Sequence, residues 1–251
     1  MFTLLSPSKT MDNSVSYDSL PKTELIFLNE LKNLVEHFKR LKKQELSELM
    51  NISDKLAELN YKRFQSFPED LSKSKETLQS LCFYKGDVYT DIDISNYKLD
   101  DFNFAQNSIR ILSGLYGILR PLDLIYAYRL EMGINTKNII GKTLYEFWSD
   151  KITTYLNKEC NDYIINLASN EYSEVINLTT LKAKVFNIVF KDNHKGQLKV
   201  IGLNAKKARG AMANFIIKNR ITTPKDLLNF TGRDYKYTKE LSNENTYTFI
   251  R

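Results

Sequence analysis

Segments that read as strands stand at both extremities of this sequence, Phe2 to Leu5 and Thr246 to Ile250, and no seam divides the chain between them. No Gly/Ser/Pro-rich linker and no internal repeat interrupts it. Further strand-like segments, Leu81 to Tyr89, Asp162 to Leu167, Val185 to Lys191 and Gln197 to Leu203, alternate with helical ones. Strands scattered this widely among helices point to a single α+β (mixed α/β) domain over residues 1–251, with a central mixed sheet or barrel-like core surrounded by helices. A length of 251 residues and an apolar share of 42% suffice for a substantial core.

Helical periodicity is clearest from Thr23 to Leu41, where Leu25, Leu28, Leu31, Leu34, Val35, Phe38 and Leu41 share one face. Two short helices follow, Gln44 to Met50 and Asp54 to about Phe64, joined by Asn51, Ile52 and Ser53, with Ser53 able to cap the second. This is the outline of a helix-hairpin-helix phosphate clamp, but also of an ordinary helical connection. The turn lacks the glycines whose bare amides meet a phosphate. Phe102 to Leu119 reads as a helix ending near Gly114 to Gly117, Ala205 to Asn219 as another, and Pro224 opens one through Phe230. Residues 192–196 read as a hairpin loop, which puts His194 in an exposed turn.

The side chains used for metal binding and nucleophilic catalysis are scarce. Cys82, Cys160, His37 and His194 lie far apart in sequence. They support neither a zinc spacing nor a disulfide framework, so no metal and no cofactor is expected. Free buried thiols fit a reducing compartment. The longest mostly apolar stretch, Ile111 to Leu119, is far short of the roughly 20 residues that span a bilayer. Met1 to Thr10 lacks the basic start and apolar run of a signal peptide. The expected location is cytoplasmic, with no membrane partner.

Charge is unevenly placed. The whole chain carries +6, yet residues 195–251 hold 12 basic and 4 acidic side chains, a net of +8, so the rest sums to −2. Such asymmetry suggests a patch for an anionic partner, or a lysine-rich solvated surface.

Five stretches combine glycine, charge and aromatics more densely than packing requires. Ser6 to Thr10 follows the first strand and offers Lys9 and hydroxyls to an anion. Lys85 to Tyr89 sets Lys85 and Asp87 either side of Gly86. Leu112 to Gly133 carries Arg120, Asp123, Arg129 and Glu131 in an otherwise apolar run, where charges are paired or used. Asn166 to Tyr172 begins at the end of a buried strand, where α/β proteins collect ligands, and offers Glu171 as a general base. Ala205 to Met212 opens a helix with Lys206, Lys207 and Arg209 among small residues, a setting suited to phosphate. A turn, a hairpin, an ion-pair network, a helix cap and a solvated basic face are the respective structural alternatives.

Read together, these stretches resemble the YaaA family of bacterial peroxide-stress proteins. The resemblance is carried, in order, by SPSKT at 6–10, ISDKLA at 52–57, KGDVYT at 85–90, LSGLYGILRPLD at 112–123, YRLEMG at 128–133, GK-x-LY-x-FW at 141–148, INLASNEY at 165–172 and AKKARG at 205–210. It implies a cytosolic protein that limits reactive intracellular iron and DNA damage under hydrogen peroxide. It also implies DNA binding through a positively charged cleft and a helix-hairpin-helix element, which falls at about residues 44–67. Direct iron ligation is not supported, since neither cysteine nor histidine falls within these motifs.

Two functions follow as expectations. One is a DNA-binding protein of the peroxide stress response, its partner double-stranded DNA, including bent or damaged DNA. Lys206, Lys207 and Arg209 would hold phosphates with help from Lys9, Lys85, Arg120 and Arg129. The other is an enzyme acting on a nucleobase, nucleotide or damaged nucleic acid, with Asp87, Glu131 or Glu171 as carboxylate base. A stress-induced adaptor whose motifs are structural is the third possibility. The single-cleft idea predicts that Arg129, Glu171 and Arg209 converge.

Overall fold

A computed structural model describes residues 1–14, 17–160 and 162–251. Along the chain run β1 (Phe2–Leu5), α1 (Leu28–Lys39), α2 (Lys43–Met50), α3 (Asp54–Gln65), α4 (Leu99–Ser108), β2 (Ile109–Ser113) and β3 (Gly117–Leu119). Then come α5 (Leu144–Glu159), β4 (Tyr163–Asn166), β5 (Lys184–His194), β6 (Gln197–Lys199), α6 (Gly202–Lys218), β7 (Lys236–Tyr237) and β8 (Thr246–Ile250). Among the described residues these strands form an eight-stranded sheet in the order β7-β8-β5-β4-β1-β2-β3, with β6 paired to β5 off that path. β8, β5, β4, β1 and β2 are mutually parallel. β7, β6 and β3 pair antiparallel. The sheet is open, so of the two expected cores the mixed sheet is the one present.

The parallel centre explains why part of the sequence reads as helix. Every residue of β1 and β2 is buried, so both faces of these strands are covered. A strand covered on both sides is a continuous apolar run with no alternation. The expected helix Phe102 to Leu119 therefore ends at Ser108, and Ile109 to Leu119 forms the β2–β3 hairpin instead. The Ser113 hydroxyl oxygen accepts from the Leu115 and Tyr116 amides in the turn, at 3.3 and 3.0 Å.

Tertiary pairing overrides local pattern elsewhere. The expected helix from Thr23 starts at Leu28, because Thr23 exchanges backbone bonds with Leu122 and Leu124. Its apolar face is buried as the periodicity requires, at Leu31, Leu34, Val35 and Phe38. Leu81 to Tyr89, expected as a strand, is a helical turn Ser80–Phe83, a two-residue strand Tyr84–Lys85 paired with Thr10–Met11, and a 3-10 turn Tyr89–Asp91. Gln197 to Leu203 stays extended only to Lys199, since α6 starts at Gly202. The segment from Pro224 is a 3-10 helix, Pro224–Asn229. β4 and β8 lie where expected. α4 and α6 pack against each other and the sheet. Among the described residues no helix is long and apolar enough to cross a membrane.

Candidate functional site

Parallel strands deliver their carboxyl ends to one edge, where ligands collect. Here β1 ends into Ser6, β2 into Gly114 and β4 into Leu167. A cleft of about 460 Å³ opens at that edge between Ser6–Thr10, Gly86–Tyr89, the turn bearing Ser169, Glu171 and Tyr172, and Lys206 and Arg209 of α6. Four stretches singled out by sequence thus line one concavity.

The loops are tied to one another. The Ser169 amide donates to Ser6 Oγ at 2.8 Å. The Tyr89 hydroxyl donates to the Ser6 carbonyl at 2.9 Å. Gly86 has φ +109°, which a side chain rarely adopts, and a Cβ there would stand 2.8 Å from Ser8 Oγ. A Cβ at Gly210 would overlap the Val88 carbonyl oxygen, so this glycine lets α6 close on the Gly86–Tyr89 loop. A buried polar cluster lies among the neighbouring strands and loops. Tyr128 OH stands 2.8 Å from Tyr84 OH and 2.7 Å from Ser113 Oγ, all three buried. Burial pushes the Tyr128 phenol up to about 12. These tyrosines are masked in sequence by their resemblance to ordinary core aromatics.

The charges divide into paired and unpaired. Glu131 Oε1 accepts Lys9 Nζ and Arg129 Nη2, each at 2.9 Å. Glu131 Oε2 and Arg129 Nε are buried with no partner among the described residues. Glu171 Oε1 accepts the Gly133 amide at 3.2 Å. Burial raises the Tyr172 phenol, and the nearby Tyr128, Glu171 and Glu131 raise it further. Lys206 Nζ and Asp87 Oδ2 are 3.8 Å apart and well exposed, so this pair contributes little. Arg209 is the exception. It is half-buried, its Nε has no hydrogen-bond partner among the described residues, and burial alone lowers its pKa.

Asp87, Glu131, Glu171, Lys9, Lys206 and Arg209 thus meet at or beside the cleft, with Arg129 behind Glu131. Lys85 pairs through its backbone with Thr10 at the rim and does not line the cleft, nor does Lys207. Arg120 is elsewhere. β3 runs back antiparallel to β2, so Arg120 emerges at the amino end of the sheet. There its Nη2 is 2.9 Å from the fully buried Asp123, which also accepts the Thr23 hydroxyl at 2.6 Å. The helical hairpin α2–α3 also lies outside the cleft lining. Residues 44–67 hold four acids and three bases, a net of −1. Lys43 and Lys62 both pair with Glu58. Asn51, at φ 48°, and Ile52 spend their amides on the Glu48 and Ser47 carbonyls. His37 is half-buried, His194 is exposed, and both cysteines are buried and free. Burial pushes the Cys82 thiol up to about 12. Among the described residues, no group of three or more His, Cys, Asp or Glu is placed to hold a metal ion.

The cleft therefore offers a guanidinium with an unpartnered Nε and an exposed ammonium beside carboxylates, in a volume within the range of small-molecule sites. That combination suits a ligand bearing both an anionic group and hydrogen-bond donors. The family described as "Peroxide stress protein YaaA" matches residues 1–241. The chain belongs to the YaaA family. Its relatives include a UPF0246 protein of Teredinibacter turnerae, 44% identical over 255 residues, covering 100% of this chain and 99% of the relative. A UPF0246 protein of Acaryochloris marina is 43% identical over 256 residues, with complete coverage of both chains. The YaaA name is consistent with a role in peroxide stress.

Proposed function

We propose that this YaaA protein binds DNA in the peroxide stress response, with phosphates held at the mouth of the cleft by Arg209 and Lys206. The observation carrying this reading is the state of Arg209. A half-buried guanidinium left unpaired costs stability unless an anion meets it. Lys9 and Arg129 lie nearby but are already committed to Glu131. Contacts of this kind go to the backbone, so sequence preference is slight.

The test is fluorescence anisotropy with intact and gapped duplex DNA across a salt series. The Lys206→Ala, Arg209→Met double variant should lose roughly one to two units of log–log slope. Binding with an unchanged slope would remove the proposal. Glu171 supports a second reading, catalysis on a nucleotide or base, because its carboxylate lines the cleft with Lys206 and Arg209. On that reading Glu171→Gln abolishes turnover while DNA affinity is kept or improved. A wild type without turnover, together with a large loss of affinity in Glu171→Gln, would leave Glu171 a binding role alone.

A further inference from the structure

Residues 193–203 are exposed without exception. Four of them are large aliphatics: Leu198 is 39% exposed, Val200 55%, Ile201 38% and Leu203 52%. Such clustering on a surface marks an interaction site more often than chance. Its position is set by the sheet. The pairing of β4 with β5 stops at Asn187, yet β5 continues to His194. β6 pairs with residues 192–194 along the edge that β4 has left, while the Asn193 amide is committed on the opposite edge to the Arg251 carbonyl at 2.8 Å. Since β4 and β5 are parallel, this overhang rises from the carboxyl end of the sheet, where the cleft lies. The chain then passes through Val200 and Ile201 into α6, and Leu203 precedes Lys206 by about one helical turn.

Charge selects the partner. Residues 191–207 contain Lys191, Lys195, Lys199, Lys206 and Lys207 against one acid, Asp192. That acid is taken by Arg251 Nε at 2.6 Å, the Tyr235 hydroxyl and the Asn204 amide. A two-fold contact between copies would set these lysines against themselves, which opposes self-association. The partner must be anionic and must also present apolar surface.

An opened base step meets both demands. Apolar side chains inserted between bases cover exposed base faces, while flanking cations hold the adjacent phosphates. We propose that the ridge Leu198–Leu203 is a wedge that enters an opened step of duplex DNA beside the cleft. This rests on the DNA-binding reading above and adds a preference to it. Steps at a gap or mismatch open at lower cost, so those duplexes are favoured.

The experiment compares intact, one-nucleotide-gapped and mismatched duplexes by anisotropy and by end-to-end energy transfer. It uses wild type, the ridge variant Val200→Ser, Leu203→Ser, and the cleft variant Lys206→Ala, Arg209→Met. Both ridge residues are exposed, and thermal melting checks that folding is unchanged. The expected result is a roughly tenfold wild-type preference for gapped over intact duplex, with bending. The ridge variant should lose that preference while keeping intact-duplex affinity within about twofold, and the cleft variant should weaken all three duplexes alike. A ridge variant that keeps the preference overturns the wedge and leaves DNA binding standing. So does a ridge variant unchanged on DNA but no longer held by phosphatidylglycerol vesicles that bind the wild type. Wild type that binds none of the duplexes removes the DNA reading and the wedge with it.

Discussion

Arg120 and Arg209 sit at opposite ends of the same sheet, and their surroundings differ in what they leave unsatisfied. At the amino end, Arg120 meets the buried Asp123 through Nε and Nη2, at 3.0 and 2.9 Å, while its Nη2 also donates to the Glu24 carbonyl. Asp123 in turn takes the Arg120 amide at 2.8 Å and the Thr23 hydroxyl. Burial pushes the Asp123 carboxyl up, and those donors oppose the rise. At the carboxyl end, Arg209 has no such partner among the described residues. The first cluster locks the entry to α1 against the β3 turn, and the second leaves charge ready for something outside the protein. Buried polar groups in proteins are nearly always satisfied, so an unsatisfied one is the more informative about function.

The contrast predicts separate losses. Asp123→Ala should cost about 3–5 kcal/mol, since it strands the buried side of Arg120 and frees the Thr23 hydroxyl. Urea denaturation reads this directly. DNA affinity of the protein that remains folded should be unchanged, and a parallel loss of affinity would join the two ends that the contrast separates. Gly210→Ala should act on both properties. Its Cβ would press on the Val88 carbonyl, which costs about 1–3 kcal/mol as overpacking and pushes the Gly86–Tyr89 wall off α6. Reduced stability with undiminished binding would show that this wall is not part of the site.

The two cationic positions of α6 sharpen the contrast within one element. At its far end Lys218 Nζ and Arg220 Nη2 reach Asp101, at 3.0 and 2.8 Å. Burial pushes Asp101 upward, but hydrogen bonds from the Lys98 amide, Lys218 and Arg220 prevail and hold it at about 2. A depressed carboxylate pKa stabilises the fold above the unfolded value near 4 and loses that contribution as pH falls toward 2. The stability difference between wild type and Asp101→Asn should therefore be constant above about pH 5 and shrink toward pH 2. For Arg209→Met the sign reverses. Removing an uncompensated half-buried charge while keeping an apolar stem should leave stability equal or higher, and cost roughly tenfold in DNA affinity. A clear loss of stability would mean that Arg209 has a structural partner after all.

The residues that line the cleft were more legible in the sequence than the elements around them. Lys9, Glu131, Glu171, Lys206 and Arg209 lie in stretches whose density of charge and glycine exceeds what packing needs, and local density survives folding. Arg120 looks the same at that level. What separates it is Thr23, about a hundred residues away, and no local pattern reports such a partner. The β2 strand was illegible for a related reason: buried on both faces, it has no period to read. The buried Tyr84–Tyr128–Ser113 cluster combines residues from three segments, each of which alone is a plain aromatic or hydroxyl. The ridge at 198–203 was read as more strand because Val200 and Ile201 are β-branched and the segment alternates. Its signal, a run of aliphatics among lysines beyond a Lys195-Gly196 turn, is visible only once burial is known.

The smallest expected effect tests the region that the family resemblance implied and charge does not favour. The α2–α3 hairpin holds Lys43 and Lys62 on Glu58, at 3.5 and 3.1 Å, all three well exposed. If the hairpin gripped phosphates, Glu58→Gln would release two lysines and remove a repelling charge. Affinity would rise and the salt slope would steepen by one to two units. With the grip at Arg209 and Lys206, the same substitution should leave the slope unchanged and affinity within about twofold. Exposed pairs contribute little to stability, so the melting curve should not move either, and binding alone carries the answer. A steeper slope in Glu58→Gln would transfer the phosphate contact from the carboxyl end of the sheet to the hairpin, because the change frees Lys43 and Lys62 there without touching the cleft.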